Sequence, residues 1–272
     1  MSTYLITGAS RGLGFEFVKQ TSEDPNNLVI GLVRDKSATE KKVAAEFGDR
    51  TNVHILTGDL ASYESLKKAL AETTKIVGDR GIDYLVASGG YLPLFDAFSP
   101  IGSLSDKVEE LEKVLTDLNQ TNIIGNIHLY NLFLPLVLKG NEKKVITLTS
   151  GHADLELINA YDVEVAALYS AFKAALNVIV AKYSAQYKKE GVLFVSISPG
   201  VVDVGSFDNL TPEQLQGLSG FFAAIAKYAP DFKGPDKVDD AARVNIALWK
   251  KVSIEDGFGG AFVSHFGNKQ WV

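Results

Sequence analysis

Cysteine is absent from this chain of 272 residues. That removes disulfides, thiolate metal ligands and cysteine nucleophiles together, and it fits a reducing compartment. Histidine is scarce. His54, His128, His152 and His265 stand apart with no metal-ligand spacing among them, so no metal site is expected. An excess of positive charge is also missing: the formal net charge is −6. A surface for nucleic acid or for an anionic membrane would favour basic patches, so neither partner is expected. No apolar run is long enough to cross a bilayer. The most apolar stretch, Ile123 to Leu138, is broken by Asn126, His128 and Asn131 and reads as a buried helix. Met1 stands almost against the first strand-like run, which leaves no room for a signal peptide; the expected location is cytoplasmic. The first turn lacks a P-loop lysine, and no Gly-x-Ser-x-Gly elbow occurs.

What is present is a regular alternation. Hydrophobic residues make up 46% of the chain, ample for a core. Strand-like runs fall at Thr3–Thr7, Leu28–Val33, Val53–Thr57, Tyr84–Ala87, Val145–Thr149, Leu193–Ser198 and Gly260–His265. Between them lie segments of helical spacing, among them Tyr63–Val77, Val108–Leu138, Tyr169–Lys188 and Val238–Val252. Continuous apolar strands separated by helices imply a parallel sheet covered on both faces. No linker or repeat divides the chain. The expectation is an α/β fold: a single Rossmann-type, doubly wound domain over residues 1–272, with about seven parallel strands. Residues 204–235 have no strand of their own.

The first strand runs directly into Gly8-Ala9-Ser10-Arg11-Gly12-Leu13-Gly14 and then a helix. A glycine turn leading into a helix suits a pyrophosphate, because backbone amides and the helix dipole can both meet the anion. A tight structural turn would use the same glycines. The spacing Gly-x-x-x-Gly-x-Gly resembles that of the short-chain dehydrogenase/reductase family. Further along, Ser150 ends the fifth strand, and Tyr169-Ser170-Ala171-Phe172-Lys173 follows at the start of a helix. Residues four apart share a helix face, so Lys173 can lie beside the Tyr169 phenol and draw its pKa down. Serine, tyrosine and lysine in this order and context match the catalytic set of the family, and the resemblance covers nearly the whole chain.

The resemblance implies an oxidoreductase that reduces a ketone or aldehyde carbonyl to an alcohol, reversibly, with Tyr169 as the general acid/base. It makes Ser150 the residue that polarises the carbonyl oxygen, and Asn122, in Asn122-Ile123-Ile124-Gly125, the holder of a proton-relay water. Asn119 and Asn126 are rivals for that role. Cofactor contacts are implied for Gly8, Ser10, Arg11, Gly12, Leu13, Gly14, Asp59, Leu60, Ser88, Gly89, Asn122, Tyr169, Lys173, Pro199, Gly200 and Val202. The acid expected after the second strand of an NAD-binding fold is replaced by Val33-Arg34. Arg34 and Arg11 offer fork-shaped donors for a 2′-phosphate, so NADP(H) is the expected cofactor, unless both are plain surface arginines.

Departures from the family pattern are plain. Ala87-Ser88-Gly89-Gly90 replaces Asn-Asn-Ala-Gly. Val204 stands where a threonine often holds the carboxamide, leaving that task to backbone near Val202 or to Ser206. The separation of Ser150 from Tyr169 is long, and His152 to Ala167 reads as a loop; it holds Tyr161, which has no lysine partner, and His152, which reads as a solvated loop residue or as one close enough to Ser150 to touch a substrate. Thr211-Pro212-Glu213 looks like a helix start. Phe221, Phe222, Ile225 and Tyr228 then recur at helical spacing, either as core or as one face of a lid over residues 204–235. The lid reading implies an apolar or aromatic carbonyl substrate. Family members form homodimers or homotetramers through the helices of Asn122 and Tyr169. A catalytically silent NADP-binding sensor, or an epimerase or lyase on the same fold, stands as the alternative.

Overall fold

A computed structural model describes residues 1–205 and 210–272; Ser206 lies outside the described residues. Seven strands form one sheet: β1 Thr3–Thr7, β2 Leu28–Val33, β3 Val53–Thr57, β4 Tyr84–Ala87, β5 Lys144–Leu148, β6 Leu193–Ser198 and β7 Phe262–Ser264. Their order is β3-β2-β1-β4-β5-β6-β7, and every pairing is parallel. The order reverses between β1 and β4, so a crevice opens there at the carboxyl ends of the strands.

The helices are α1 Gly12–Thr21, α2 Lys36–Phe47, α3 Tyr63–Val77, α4 Val108–Leu118, α5 Gly125–Val137, α6 Leu155–Tyr161, α7 Ala167–Tyr187, α8 Pro212–Tyr228 and α9 Val238–Lys251. Successive strand residues point to opposite faces, and the two cores follow that alternation. Tyr4 and Ile6 of β1 join Phe17 of α1 and Trp249 of α9 on one face; the Phe17 and Trp249 rings meet edge-on at 4.6 Å. Leu5 joins Leu66, Leu129, Tyr130, Phe133 and Val180 on the other, under α3, α5 and α7.

Two segments differ from their sequence reading. Val108–Leu138 is not one helix: a π-helical stretch, Asn119–Ile124, separates α4 from α5. A π-helical stretch is defined by i→i+5 backbone hydrogen bonds, and no residue type in the sequence marks it. The apolar run is a buried helix as expected, and among the described residues no helix is long and apolar enough to cross a membrane. The long segment after Ser150 is no open loop. It holds α6, whose first turn is capped by Asp154 accepting from Glu156 N at 2.8 Å.

Candidate active site

The glycine turn is built for close approach. Gly8 has φ +69°, and a Cβ there would lie 2.7 Å from Gly89 Cα. A Cβ on Gly14 would overlap the Gly8 carbonyl oxygen. Thr7 Oγ1 accepts from Gly89 N at 2.9 Å and so ties the β1 turn to the β4 loop. Arg11 precedes α1 in extended conformation with no capping side chain, and the first turn carries no acid. Phe15 N is the first amide to bond back, to Arg11 O at 3.3 Å. Among the described residues, the amides of Gly12, Leu13 and Gly14 therefore lack a side-chain cap, as an anion site requires. Ser10 and Arg11 are exposed, and Leu13 packs on the core.

At the next strand end Val33 is buried and Arg34 exposed. Neither Arg11 nor Arg34 forms an ion pair among the described residues. The neighbouring acid, Asp35, caps α2 by accepting from Ala38 N at 2.9 Å. Asp59 closes a turn onto Ala61 N at 3.0 Å, and the cap of α3 is Ser62. Leu60 is buried beneath Gly89, and Gly125 packs on its carbonyl so closely that a Cβ would overlap it. This close approach is the physical reason for a glycine three residues after Asn122. Ser88 is half-buried and its hydroxyl is unengaged among the described residues.

Asn122 is buried inside the π-helical stretch. Its amide donates to Tyr91 O at 2.9 Å and accepts from Tyr91 N at 2.7 Å, clamping the β4 loop. Asn126 donates to Asn122 O at 2.8 Å. A Cβ on Gly90 would lie 3.3 Å from Asn122 Oδ1 and 3.7 Å from Lys173 Nζ, so three elements meet at one point. Lys173 Nζ donates to Leu148 O at 2.8 Å, two residues before Ser150, and lies 5.5 Å from the centre of the Tyr169 ring. Ser150 Oγ accepts from His152 N at 3.2 Å. Gly151 N donates to Ser198 Oγ at 2.9 Å, joining the ends of β5 and β6.

The electrostatics differ from expectation in one respect. Lys173 does not lower the Tyr169 pKa in the unliganded chain; loss of water raises the phenol above its usual value. The ammonium is turned to Leu148 O instead of the phenol, and burial lowers its own pKa to about 8. Tyr169 is therefore protonated near neutrality, the state that gives a proton. The lysine charge is present below about 8 and lost above it. We expect kcat/KM for any turnover that uses this pair to be level near neutral pH and to fall as pH rises through about 8. A profile level to about pH 10 would show that the lysine charge is not used.

Residues that the sequence reading passed over complete the surroundings. Asn245 of α9 donates to Pro199 O at 3.4 Å, and the His265 imidazole packs on Gly200, which has φ +94°. Val202 pairs with Asp236, and Val204 lies over Gly12. His152 is not a solvated loop residue: its ring stacks on Phe221 at 4.9 Å, and burial lowers its pKa to about 4. Tyr161 packs edge-on against Tyr228 at 5.1 Å. Helix α8 starts as read, with a reciprocal cap between Thr211 and Gln214. Its aromatic stripe is divided. Phe221 and Tyr228 join Leu157, Val163 and Trp271, whereas Phe222 stacks on Phe232. The Tyr228 hydroxyl donates to Lys269 O at 2.9 Å and accepts from Trp271 N at 3.0 Å, fastening the C-terminal tail.

With this geometry in hand, comparison places the chain among known proteins. The family model described as short chain dehydrogenase matches residues 2–215. The chain is 64% identical to a short-chain dehydrogenase/reductase, iacC, of Pestalotiopsis fici, covering 100% of both chains. It is 52% identical to the short chain dehydrogenase virK of Hypocrea virens, again over 100% of both. Among solved structures it is similar to an NADPH-bound carbonyl reductase from chicken fatty liver, with a TM-score of 0.76 at 22% identity over 98% of each chain. The carbonyl reductase Sniffer of D. melanogaster gives 0.75 at 22% identity, also over 98% of each chain.

Proposed function

Because this chain belongs to the short-chain dehydrogenase/reductase family, we propose that it is a cytoplasmic, NADPH-dependent reductase of ketone or aldehyde carbonyls. The reaction is reversible, so the same site would oxidise the alcohol. The observation that carries this reading is the meeting of Gly90, Asn122 and Lys173 beside the carboxyl ends of β4 and β5, with Tyr169 on the same face of α7. The bound cofactor supplies the hydride. Tyr169 gives its proton to the carbonyl oxygen. Ser150 Oγ accepts from His152 N, which leaves its hydrogen to donate to that same oxygen. Lys173 would hold the cofactor ribose, and its ammonium, 5.5 Å from the centre of the Tyr169 ring, supplies positive charge near the phenol. Asn122 fixes the loop that borders the cofactor.

Arg11 and Arg34, exposed and free of ion pairs among the described residues, support a 2′-phosphate, and the engagement of Asp35 as a helix cap takes the nearest acid away from a ribose. The aromatic cluster of Phe221, Tyr161, Tyr228 and Trp271 supports an apolar or aromatic substrate under a lid whose described part is α8. Leu129, Tyr130, Phe133 and Leu134 are buried within the subunit, so a homodimer or homotetramer would draw on the outer face of α7, where Val178 is exposed.

The test is NADPH oxidation with ketones and aldehydes of graded size. Phe221→Ala removes the ring stacked on His152 and should raise KM for bulky aromatic carbonyl compounds roughly 3- to 10-fold, with NADPH affinity unchanged. Unaltered substrate ranking, with stability and cofactor binding both reduced, would make the cluster core and remove the lid.

A further inference from the structure

Helix α7 carries Tyr169 in its first turn but has no cap of its own. Ala166, the residue before it, sits at φ 57° in the left-handed region and offers no side-chain hydrogen bond. Glu164-Val165-Ala166 contains none of the short polar residues that usually cap a helix. The cap comes from 72 positions away. Asp96 is fully buried, and its Oδ2 accepts from Leu168 N at 2.7 Å. The Asp96 backbone carbonyl accepts from Ala166 N at 2.9 Å, and Pro100 pairs antiparallel with Val165. Asp96 Oδ1 has no partner among the described residues.

We propose that Asp96 is a positioning residue for Tyr169, holding the first turn of α7 so that the phenol stands at a fixed place beside Lys173 and the β4 loop. The placement of Asp96 gives the contact its reach. The same loop is clamped to Asn122 through Tyr91 at one end. At the other, Gly217 of α8 packs on Phe98 so closely that a Cβ would overlap its carbonyl oxygen. One loop thus touches the asparagine, the tyrosine helix and the proposed lid. Asp96 itself touches none of the reacting atoms; it acts through the backbone of Ala166 and Leu168, on either side of the helix start.

The inference rests on the reading of Tyr169 as the proton donor, and its test separates the two. Misplacing a reacting group by about 1 Å can cost a hundredfold. Asp96→Ala should lower kcat about 10- to 100-fold while leaving NADPH affinity within about twofold. Asp96→Asn keeps an acceptor oxygen toward Leu168 and should restore kcat to within about threefold of the parent protein. If Asp96→Ala does not fold, Asp96→Leu fills the volume without an acceptor and should show the same loss. A fall in melting temperature with kcat unchanged would make Asp96 a plain structural cap and overturn the proposal. So would an Asparagine variant no better than the alanine one. Amide exchange gives an arm independent of activity: first-turn amides ordinarily exchange fast, whereas that of Leu168 should be protected in the parent protein. Fast exchange there overturns the Asp96 assignment. Absence of carbonyl reduction with this amide protected would instead count against the reductase reading and leave the cap in place.

Discussion

Replacing Tyr169 by phenylalanine is expected to lower kcat by about two to four orders of magnitude, the span that a positioned acid or base contributes. NADPH affinity and melting temperature should stay close to those of the parent protein. The substitution removes a single oxygen, and that hydroxyl has no hydrogen-bond partner among the described residues, so no buried group is orphaned by its loss. Lys173 keeps its bond to Leu148 O, and the first turn of α7 keeps Asp96. Tyr161→Phe is the control, because Tyr161 packs in the aromatic cluster under α8 and has no lysine partner. Steady-state kinetics beside cofactor titration checks both variants. A silent Tyr161 variant with full turnover in Tyr169→Phe would be contrary to the account; an inactive Tyr161→Phe would move the proton donor to the far side of α6.

The second large effect concerns the cofactor. Arg34→Ala should weaken NADPH binding roughly 10- to 100-fold, as expected for the loss of charge-assisted hydrogen bonds of about 1.5–3 kcal/mol, and should leave NADH binding almost unchanged. Arg34 is exposed and forms no ion pair among the described residues, so its removal should cost little stability. Arg11→Ala should act in the same direction, and the pair together should bring the two affinities close. Equal losses for both cofactors would show that Arg34 supports the fold at the end of β2 and does not read the phosphate.

Much of this was legible in the sequence because it is local. The strand Tyr84–Ala87 is continuously apolar between turns, and the sheet places it inside, next to β1. Thr211 and Pro212 announce a helix start by side-chain chemistry alone, and the reciprocal cap forms there. The pairing of Tyr169 with Lys173 follows from helical period. The features that escaped depend on partners far apart in the chain or on backbone changes without a side-chain signature. Asp96 finds the Leu168 amide 72 positions away. The π-helical stretch around Asn122 is a change in backbone hydrogen bonding that no residue type announces. Trp271 packs on Gly151 from the end of the chain, which fills space that a loop reading leaves open to water. Helix α6 did have a local signal, Asp154 ahead of Leu155-Glu156-Leu157-Ile158, masked by the acidic residues around it. The expected lowering of the tyrosine pKa failed for another reason: period gives the face of a helix but not the direction of the ammonium, and Lys173 is turned to a strand carbonyl.

The most direct measurement is the loss of reduced-nicotinamide absorbance when the purified protein meets a panel of ketones and aldehydes, run in parallel with NADPH and NADH. Turnover is expected with NADPH at far lower cofactor concentration than with NADH, with one alcohol formed per NADPH consumed, and about a hundredfold or more slower in Tyr169→Phe. NADPH that binds tightly yet is not consumed with any carbonyl compound would contradict the account and leave a cofactor-binding protein in place of a reductase.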